Sequence, residues 1–229
     1  MKVIKDIEQG SQEWHELRRG RITGTCLKDV MGTPELQLKL IAELIAEEGT
    51  EQSKITRPTP EMERGIAEEV FTIKRYEDKY KRKVEKVTIC IHDDYDWLAY
   101  SPDGLVKEKG KYSRGLEIKN PDSKTMIFYK MVNECEDIKL IPSKMPFLGV
   151  PQDYKWQVVL SFIVNKDQEA LDFVVSDARF IDDEAKMYVV EVKRDNPLLQ
   201  EAMTEATERL LKFREDWLRY KELILISNF

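Results

Sequence analysis

Cysteine is scarce in this chain, and the little there is shows no pattern. Cys26, Cys90 and Cys135 stand at unrelated spacings, which gives neither a disulfide framework nor a Cys-x-x-Cys metal knuckle. Reduced thiols in a reducing compartment are the expected state. Long apolar runs are missing too: none approaches the roughly 20 residues that a membrane helix needs. The opening MKVIKDIEQGSQEW is too polar for a secretory leader. A cytoplasmic location without membrane contact is therefore expected. Nor is there an excess of positive charge. Against 37 Lys and Arg stand 43 Asp and Glu, a net charge of −6, so the chain as a whole is not a basic nucleic-acid binder. A local basic channel remains compatible with that total, because acidic metal ligands lower it.

What is present is enough for a core. The 229 residues are 41% hydrophobic and 35% charged, a balance that argues for a globular chain and for one large domain, residues 1–229. Ser11 is placed to cap a helix through Arg18, with Gly20 as its stop. Trp14 and Leu17, three apart, share that helix's apolar face. Arg21-Ile22-Thr23-Gly24-Thr25 then leads into a second helix, Cys26 to Met31. Hydroxyls and free N–H groups there, with Arg18 beside them, form either an anion site or an ordinary cap with surface arginines. His15 reads as a packing or capping residue. Glu35 to Glu48 is amphipathic and ends at Gly49. After a linker with Pro58 and Pro60 comes a long helix, Glu61 to Lys81, whose stripe Ile66, Val70, Ile73 and Tyr76 or Tyr80 is expected to be buried. Gly65 in it is expected to serve close packing or access, at a cost of about 1 kcal/mol against Ala. Glu69 borders the stripe. Spacing alone does not decide whether it is solvated or reaches into a site.

The second half alternates strands and helices. Lys86 to His92 and Trp97 to Tyr100 read as strands, followed by two more in Ser101 to Asn120. Ser123 is expected to cap a helix through Met131. A loop with Pro142, Pro146 and Pro151 leads to a helix from Tyr154 to Val164, with Trp156, Val159, Leu160 and Ile163 inward and Gln157 on its flank. Ala170 to Ser176 and Met187 to Lys193 close the sheet. A last helix, Pro197 to about Leu223, repeats Leu199, Ala202, Ala206, Leu210, Phe213 and Trp217 along one face. The fold class is α/β (or α+β), a central mixed β-sheet flanked by α-helices, with helices 11–81 and 197–223 packed around a catalytic sheet at 86–193.

Chemistry concentrates in SPDGLVKEKGKYSRGLEIKN, Ser101 to Asn120. Strand alternation turns Glu117 and Lys119 to one face and Leu116 and Ile118 to the other. If Asp103 lies on the partner strand of a hairpin, it meets Glu117 at one end. Two carboxylates and an amine on a wet edge suit Mg²⁺, an oxygen-seeking ion that keeps several waters. Hydrolysis of a phosphodiester needs an activated water, a charge clamp and help for the leaving oxygen, which two such ions supply together. Asp103 is expected to bridge them, Glu117 and the Ile118 carbonyl to hold one, and Lys119, its pKa depressed by that charge, to orient or deprotonate the water. Val190-Glu191-Val192-Lys193 repeats the Glu-x-Lys triplet without an upstream Pro-Asp, so the triplet alone specifies nothing.

Five ordered segments extend the pattern: Trp14-His15-Glu16-Leu17-Arg18-Arg19-Gly20-Arg21-Ile22-Thr23-Gly24-Thr25, Arg64-Gly65-x-x-x-Glu69, Ser101-Pro102-Asp103-Gly104, Leu116-Glu117-Ile118-Lys119 and Trp156-Gln157-Val158. Together they resemble the phage lambda exonuclease family, or YqaJ-type viral recombinases, within the PD-(D/E)xK nucleases. The likeness runs from about Gly10 to Lys193, and Ser176-Asp177-Ala178-Arg179 matches the segment after the fourth strand. It implies a restriction-endonuclease-like core. It also implies that Asp103, Glu117 and Glu69 bind metal (two Mg²⁺ per site, with Mn²⁺ able to substitute), that Lys119 is catalytic and that Gln157 closes the site. Arg18, Thr25 (where serine is common) and Ser101 then fall on the 5′-terminal phosphate pocket. The activity implied is digestion of one strand of linear double-stranded DNA from its 5′ end to mononucleotides, leaving a 3′ overhang. A toroidal homotrimer and a single-strand annealing protein as partner come with it, and a ring would let topology rather than charge retain the DNA.

A longer loop between Asp103 and Glu117, carrying Lys107, Lys109, Lys111 and Arg114, is expected either to touch the DNA backbone or to be a solvated tip. Three rival readings remain, two of them nucleases of the same superfamily and one from another class. An iron–sulfur nuclease needs four cysteines and is set aside. A restriction-type endonuclease would cut closed circles. A non-catalytic DNA-binding module would leave Asp103, Glu117 and Lys119 without a role.

Overall fold

The computed structural model describes residues 1–52, 59–135, 138, 140 and 144–226; Pro58 and Pro142 lie outside them. Strand β1 (Lys2–Ile4) leads to helix α1 (Gln12–Arg18), which begins where the Ser11 hydroxyl accepts from the Trp14 N–H at 3.2 Å. Gly20, at φ +64°, follows its end in the left-handed region. Helix α2 (Gly24–Val30) is short, and α3 (Pro34–Thr50) starts with Thr33 as its cap and proline in the first turn. The stop expected at Gly49 falls instead at Glu51, in left-handed conformation. Leu40, Ile41, Leu44 and Ile45 of α3 are buried, whereas Leu36 and Leu38 are exposed.

Helix α4 (Pro60–Tyr80) corrects the periodicity argument most clearly. Its inward residues are Thr72 and Tyr76, while Ile66 and Val70 are 63% and 62% exposed. The helix touches the sheet along its Gly65–Thr72–Tyr76 side, where Ile73 also packs, so the expected stripe is covered at Ile73 and Tyr76 and faces outward at Ile66 and Val70. Amphipathic spacing states that a helix has two faces, not which one is covered.

Two sheets form. One pairs β1 with β3 (Ile89–Ile91) and β3 with β4 (Ala99–Tyr100), all antiparallel. The other holds five strands in the order β2-β5-β6-β7-β8: β2 (Val84–Glu85), β5 (Gly104–Glu108), β6 (Lys111–Lys119), β7 (Ala170–Ser176) and β8 (Met187–Lys193). Only β6 and β7 pair in parallel; the other pairings are antiparallel, which makes the sheet mixed. The strand expected at Lys86 to His92 is shortened to Ile89–Ile91, because the chain passes from one sheet to the other between β2 and β3. All seven residues of β7 are buried, as befits a strand covered on both faces.

The parallel crossover carries α5 (Ser123–Glu134) and α6 (Lys155–Val164). Asp122, not Ser123, caps α5, its carboxylate accepting from the Thr125 N–H at 2.7 Å. Ser123 is engaged elsewhere, donating to Asp177 at 2.5 Å. Helix α6 is buried from Val158 to Val164, packed against α2, β4 and α7 rather than along one stripe. Helix α7 (Pro197–Lys221) buries all six expected residues. A π-helical turn, Glu222–Ile226, follows it. Among the described residues no helix is long and apolar enough to cross a membrane.

Candidate functional site

The hairpin of β5 and β6 ends with Gly104 opposite Leu116, so Asp103 lies one step beyond the last pair, level with Glu117. Its carboxylate takes over where the ladder stops, accepting from the Ile118 N–H at 2.6 Å. In a strand the N–H and C=O of one residue point to the same side, so the Ile118 carbonyl also faces the Asp103 edge. Gln9 steadies the approach by donating to the Pro102 carbonyl at 3.2 Å. Gly104 is required at the turn: a Cβ there would lie 2.3 Å from Val84 on β2. Glu117 and Lys119 share a face, as alternation demands, and the Lys119 ammonium donates to Glu117 at 2.6 Å.

Electrostatics marks this corner as strained. Burial, reinforced by the Glu117 charge and by Glu69 farther off, pushes the Asp103 carboxyl up to about 8. For Lys119, burial pulls its pKa down, but the charges of Glu117 and Asp103 outweigh it and the net shift is upward. In the protein alone Lys119 is therefore held protonated by its two acidic neighbours.

Helix α4 is tied to the end of β6 through Asn120 and Thr72, to which the sequence assigned no role. The Asn120 amide donates to the Gly65 carbonyl at 2.9 Å, Arg64 donates to the Asn120 carbonyl at 3.0 Å, and the Thr72 hydroxyl donates to Asn120 Oδ1 at 2.9 Å. Gly65 does not serve close packing, since a Cβ there would meet nothing within 4 Å; its carbonyl carries the contact. One turn on, Glu69 reaches the Asp103 neighbourhood but pairs with Lys86 at 3.4 Å. Tyr154, just before α6, was also missed: its ring lies 4.7 Å from the Lys119 ammonium. Its signal was its place three residues before Gln157, on the same helical face. Gln157 itself packs against Gly24 at the start of α2.

The donor set suits a hard divalent cation: two neighbouring carboxylates at a half-buried edge, a carbonyl beside them, and repulsion that a positive ion would relieve. Among the described residues no three acidic, histidine or cysteine side chains already converge at metal-binding distance. Asp103, Glu117 and the Ile118 carbonyl form the nucleus, with Glu69 at its margin.

A second cluster lies between α1, α2 and the Ser101 turn. The Arg18 guanidinium donates to Thr23 at 3.0 Å and, in a long contact, to Ser101 at 3.5 Å, while Thr23 and Thr25 hydroxyls stand 3.3 Å apart. Burial lowers the Arg18 pKa, opposed by the charges of Cys26 and Glu47. Arg18, Thr23 and Thr25 line a cavity of about 330 Å³ closed on its far side by α3. Arg18 thus links Ser101, which stands outside the lining of that cavity, to Thr23 and through it to Thr25.

The supposed basic loop is not a loop. Strands β5 and β6 run to a two-residue turn at Lys109-Gly110, both at positive φ. Arg114 points inward, paired with buried Asp172 at 2.6 Å and with Glu191 at 2.9 Å, and Lys111 pairs with Asp167 at 2.7 Å. Removing Arg114 would take one of two cationic partners from buried Asp172, which keeps Arg82 at 3.2 Å and the Tyr76 hydroxyl. Only Lys107 and Lys109 remain candidates for DNA contact.

Solved structures share this architecture. An alkaline exonuclease from Laribacter hongkongensis (LHK-Exo), in complex with dAMP, superposes with a TM-score of 0.71 at 24% identity, over 95% of this chain and 99% of that one. A phage-related exonuclease from Haemophilus somnus 129PT gives 0.59 at 12% identity, over 91% and 96%. No curated protein matches. The sequence profile of the YqaJ-like viral recombinase domain matches residues 13–168, from α1 to the threshold of β7, and so takes in both clusters. By that match, spanning more than half of its length, the chain belongs to the YqaJ-like viral recombinase domain family.

Proposed function

We propose that the chain is a single-domain, Mg²⁺-dependent 5′-to-3′ exonuclease. It degrades one strand of linear double-stranded DNA to mononucleotides and leaves a 3′ overhang for recombination by strand annealing. The observation that carries the reading is the half-buried Asp103–Glu117 pair with Lys119 on the same strand face. Family membership and the exonuclease names of the similar structures support it.

In this reading Asp103, Glu117, the Ile118 carbonyl and Glu69 hold the metal, two ions per site, with Mn²⁺ able to replace Mg²⁺. Bound divalent ions supply Lewis acidity toward the phosphodiester and activation of water. The protein's own groups do the rest. Lys119, braced between Glu117 and the Tyr154 ring, orients or deprotonates the attacking water. Gln157 closes the site from α6. Arg18, Thr25 and Ser101 hold the 5′-phosphate that each cut leaves on the shortened strand, which keeps the end in register for the next cut. A ring-shaped homotrimer in the cytoplasm and a single-strand annealing protein as partner complete the proposal.

The test supplies linear duplexes with 5′-phosphate or 5′-hydroxyl ends, a nicked circle and a closed circle, with Mg²⁺, and follows mononucleotide release. Preferential digestion of the phosphorylated linear end is expected, with Lys119→Ala inactive yet still binding DNA. Cutting of the closed circle would overturn the reading.

A further inference from the structure

Trp14 is the largest side chain of α1 and belongs to none of the three apolar clusters of the described residues, although Leu17 of the same helix packs into one. Its contacts are polar instead. The indole Nε1–H donates to the Ser101 hydroxyl at 3.0 Å, and the Arg18 guanidinium lies over its ring at 4.3 Å. One tryptophan thus joins α1 to the turn ahead of Asp103, behind the cavity that Arg18 lines.

A serine hydroxyl has one donor and two acceptor positions. At Ser101 both acceptor positions face protein donors, Trp14 Nε1–H and, at longer range, Arg18. The hydroxyl hydrogen is left to point elsewhere, so Ser101 is set as a donor. An anion needs donors, and a guanidinium held over an aromatic face has less freedom to turn its fork away. Stacking on an indole also repays part of the cost of burying that cation.

We propose that Trp14 is a positioning residue for recognition of a terminal phosphate. It fixes the Ser101 hydroxyl as a hydrogen-bond donor and holds Arg18 in place against its ring, so that the pocket accepts an anionic 5′ end in preference to a neutral one. The proposal rests on the reading of Arg18, Thr25 and Ser101 as the 5′-phosphate pocket. It adds a residue that sets selectivity without touching the DNA.

The experiment measures kcat and KM of the full chain with Mg²⁺ on matched linear duplexes bearing 5′-phosphate or 5′-hydroxyl ends, for wild type, Arg18→Ala, Trp14→Leu and Trp14→Phe. The readout is the ratio of kcat/KM on the two ends, since a loss of folded protein lowers both values alike and leaves the ratio intact. Trp14→Leu, which removes ring and donor, should lower the ratio about tenfold, mostly through KM on the phosphorylated end. Trp14→Phe keeps a face for Arg18 but frees an acceptor on Ser101, and should fall between wild type and Trp14→Leu. Ratios at the wild-type value in both Trp14 variants, with the ratio lost in Arg18→Ala, would overturn the role of Trp14 alone. A wild-type ratio in Arg18→Ala would overturn the pocket and the proposal with it. If Trp14→Leu does not fold, the Phe variant decides by itself.

Discussion

Asp103 carries the sharpest conflict in the molecule: a carboxyl packed into protein, facing a second acid, its pKa raised to about 8 by burial and by Glu117. Such a group holds a proton in the folded state that the unfolded chain has already released. Stability present below pH ~4 is therefore lost progressively as pH rises toward 8. In chelator, Asp103→Asn should unfold at a higher temperature than wild type at pH 8, and the difference should close below pH ~4. Calorimetry across that range checks it, and a lower melting temperature at pH 8 would contradict the strain. The same variant should not digest DNA. Lys119 shows how little a lone residue type states about its protonation. Beside two ions it would be depressed; beside two acids it is raised.

At the scale of elements, the end of β7 and the start of α5 are held together by one acid. Burial pushes Asp177 upward, but hydrogen bonds from Arg179 and Ser123 outweigh it and bring its pKa down to about 2. A depressed carboxylate contributes stability above pH ~4 that is lost as pH falls through ~2. Asp177→Asn should therefore destabilise the protein by about 2 kcal/mol at pH 7. The gap to wild type should shrink below pH 4, as read from urea midpoints. A constant gap down to pH 2 would mean that shape, not charge, made the difference. Two residues in sequence, Asp122 and Ser123, both suit a helix cap. Asp177, 54 positions away, takes the Ser123 hydroxyl and leaves the cap to Asp122. Helix α7 needed no such arbiter, because its six apolar residues recur at helical spacing on a single face that docks along its length.

For the whole molecule the net charge of −6 offers no broad attraction to DNA, so retention of a substrate falls to shape and assembly. A solution mass near 81 kDa, three chains of 26.9 kDa, is the expected result of light scattering. Digestion should then continue after addition of excess competitor duplex. A 26.9 kDa monomer that is equally processive would sink the ring. Neutralising Lys107 and Lys109 alone is the sound test of the hairpin's role in DNA binding, because Arg114 serves the interior.

Local chemistry written in adjacent residues was enough to determine the Asp103–Glu117–Lys119 corner, the β7 and β8 strands, the start of α1 and the buried stripe of α7. In each of these, strand alternation, helical period or a neighbouring hydroxyl settles geometry within a few residues. Only the tertiary structure decided which face of α4 is covered, that Asn120 brings Glu69 toward Asp103, that Arg114 turns inward to Asp172, and that Trp14 stands behind Arg18 and Ser101. These are choices among partners far apart along the chain, and packing and charge select among them only once the sheets have closed.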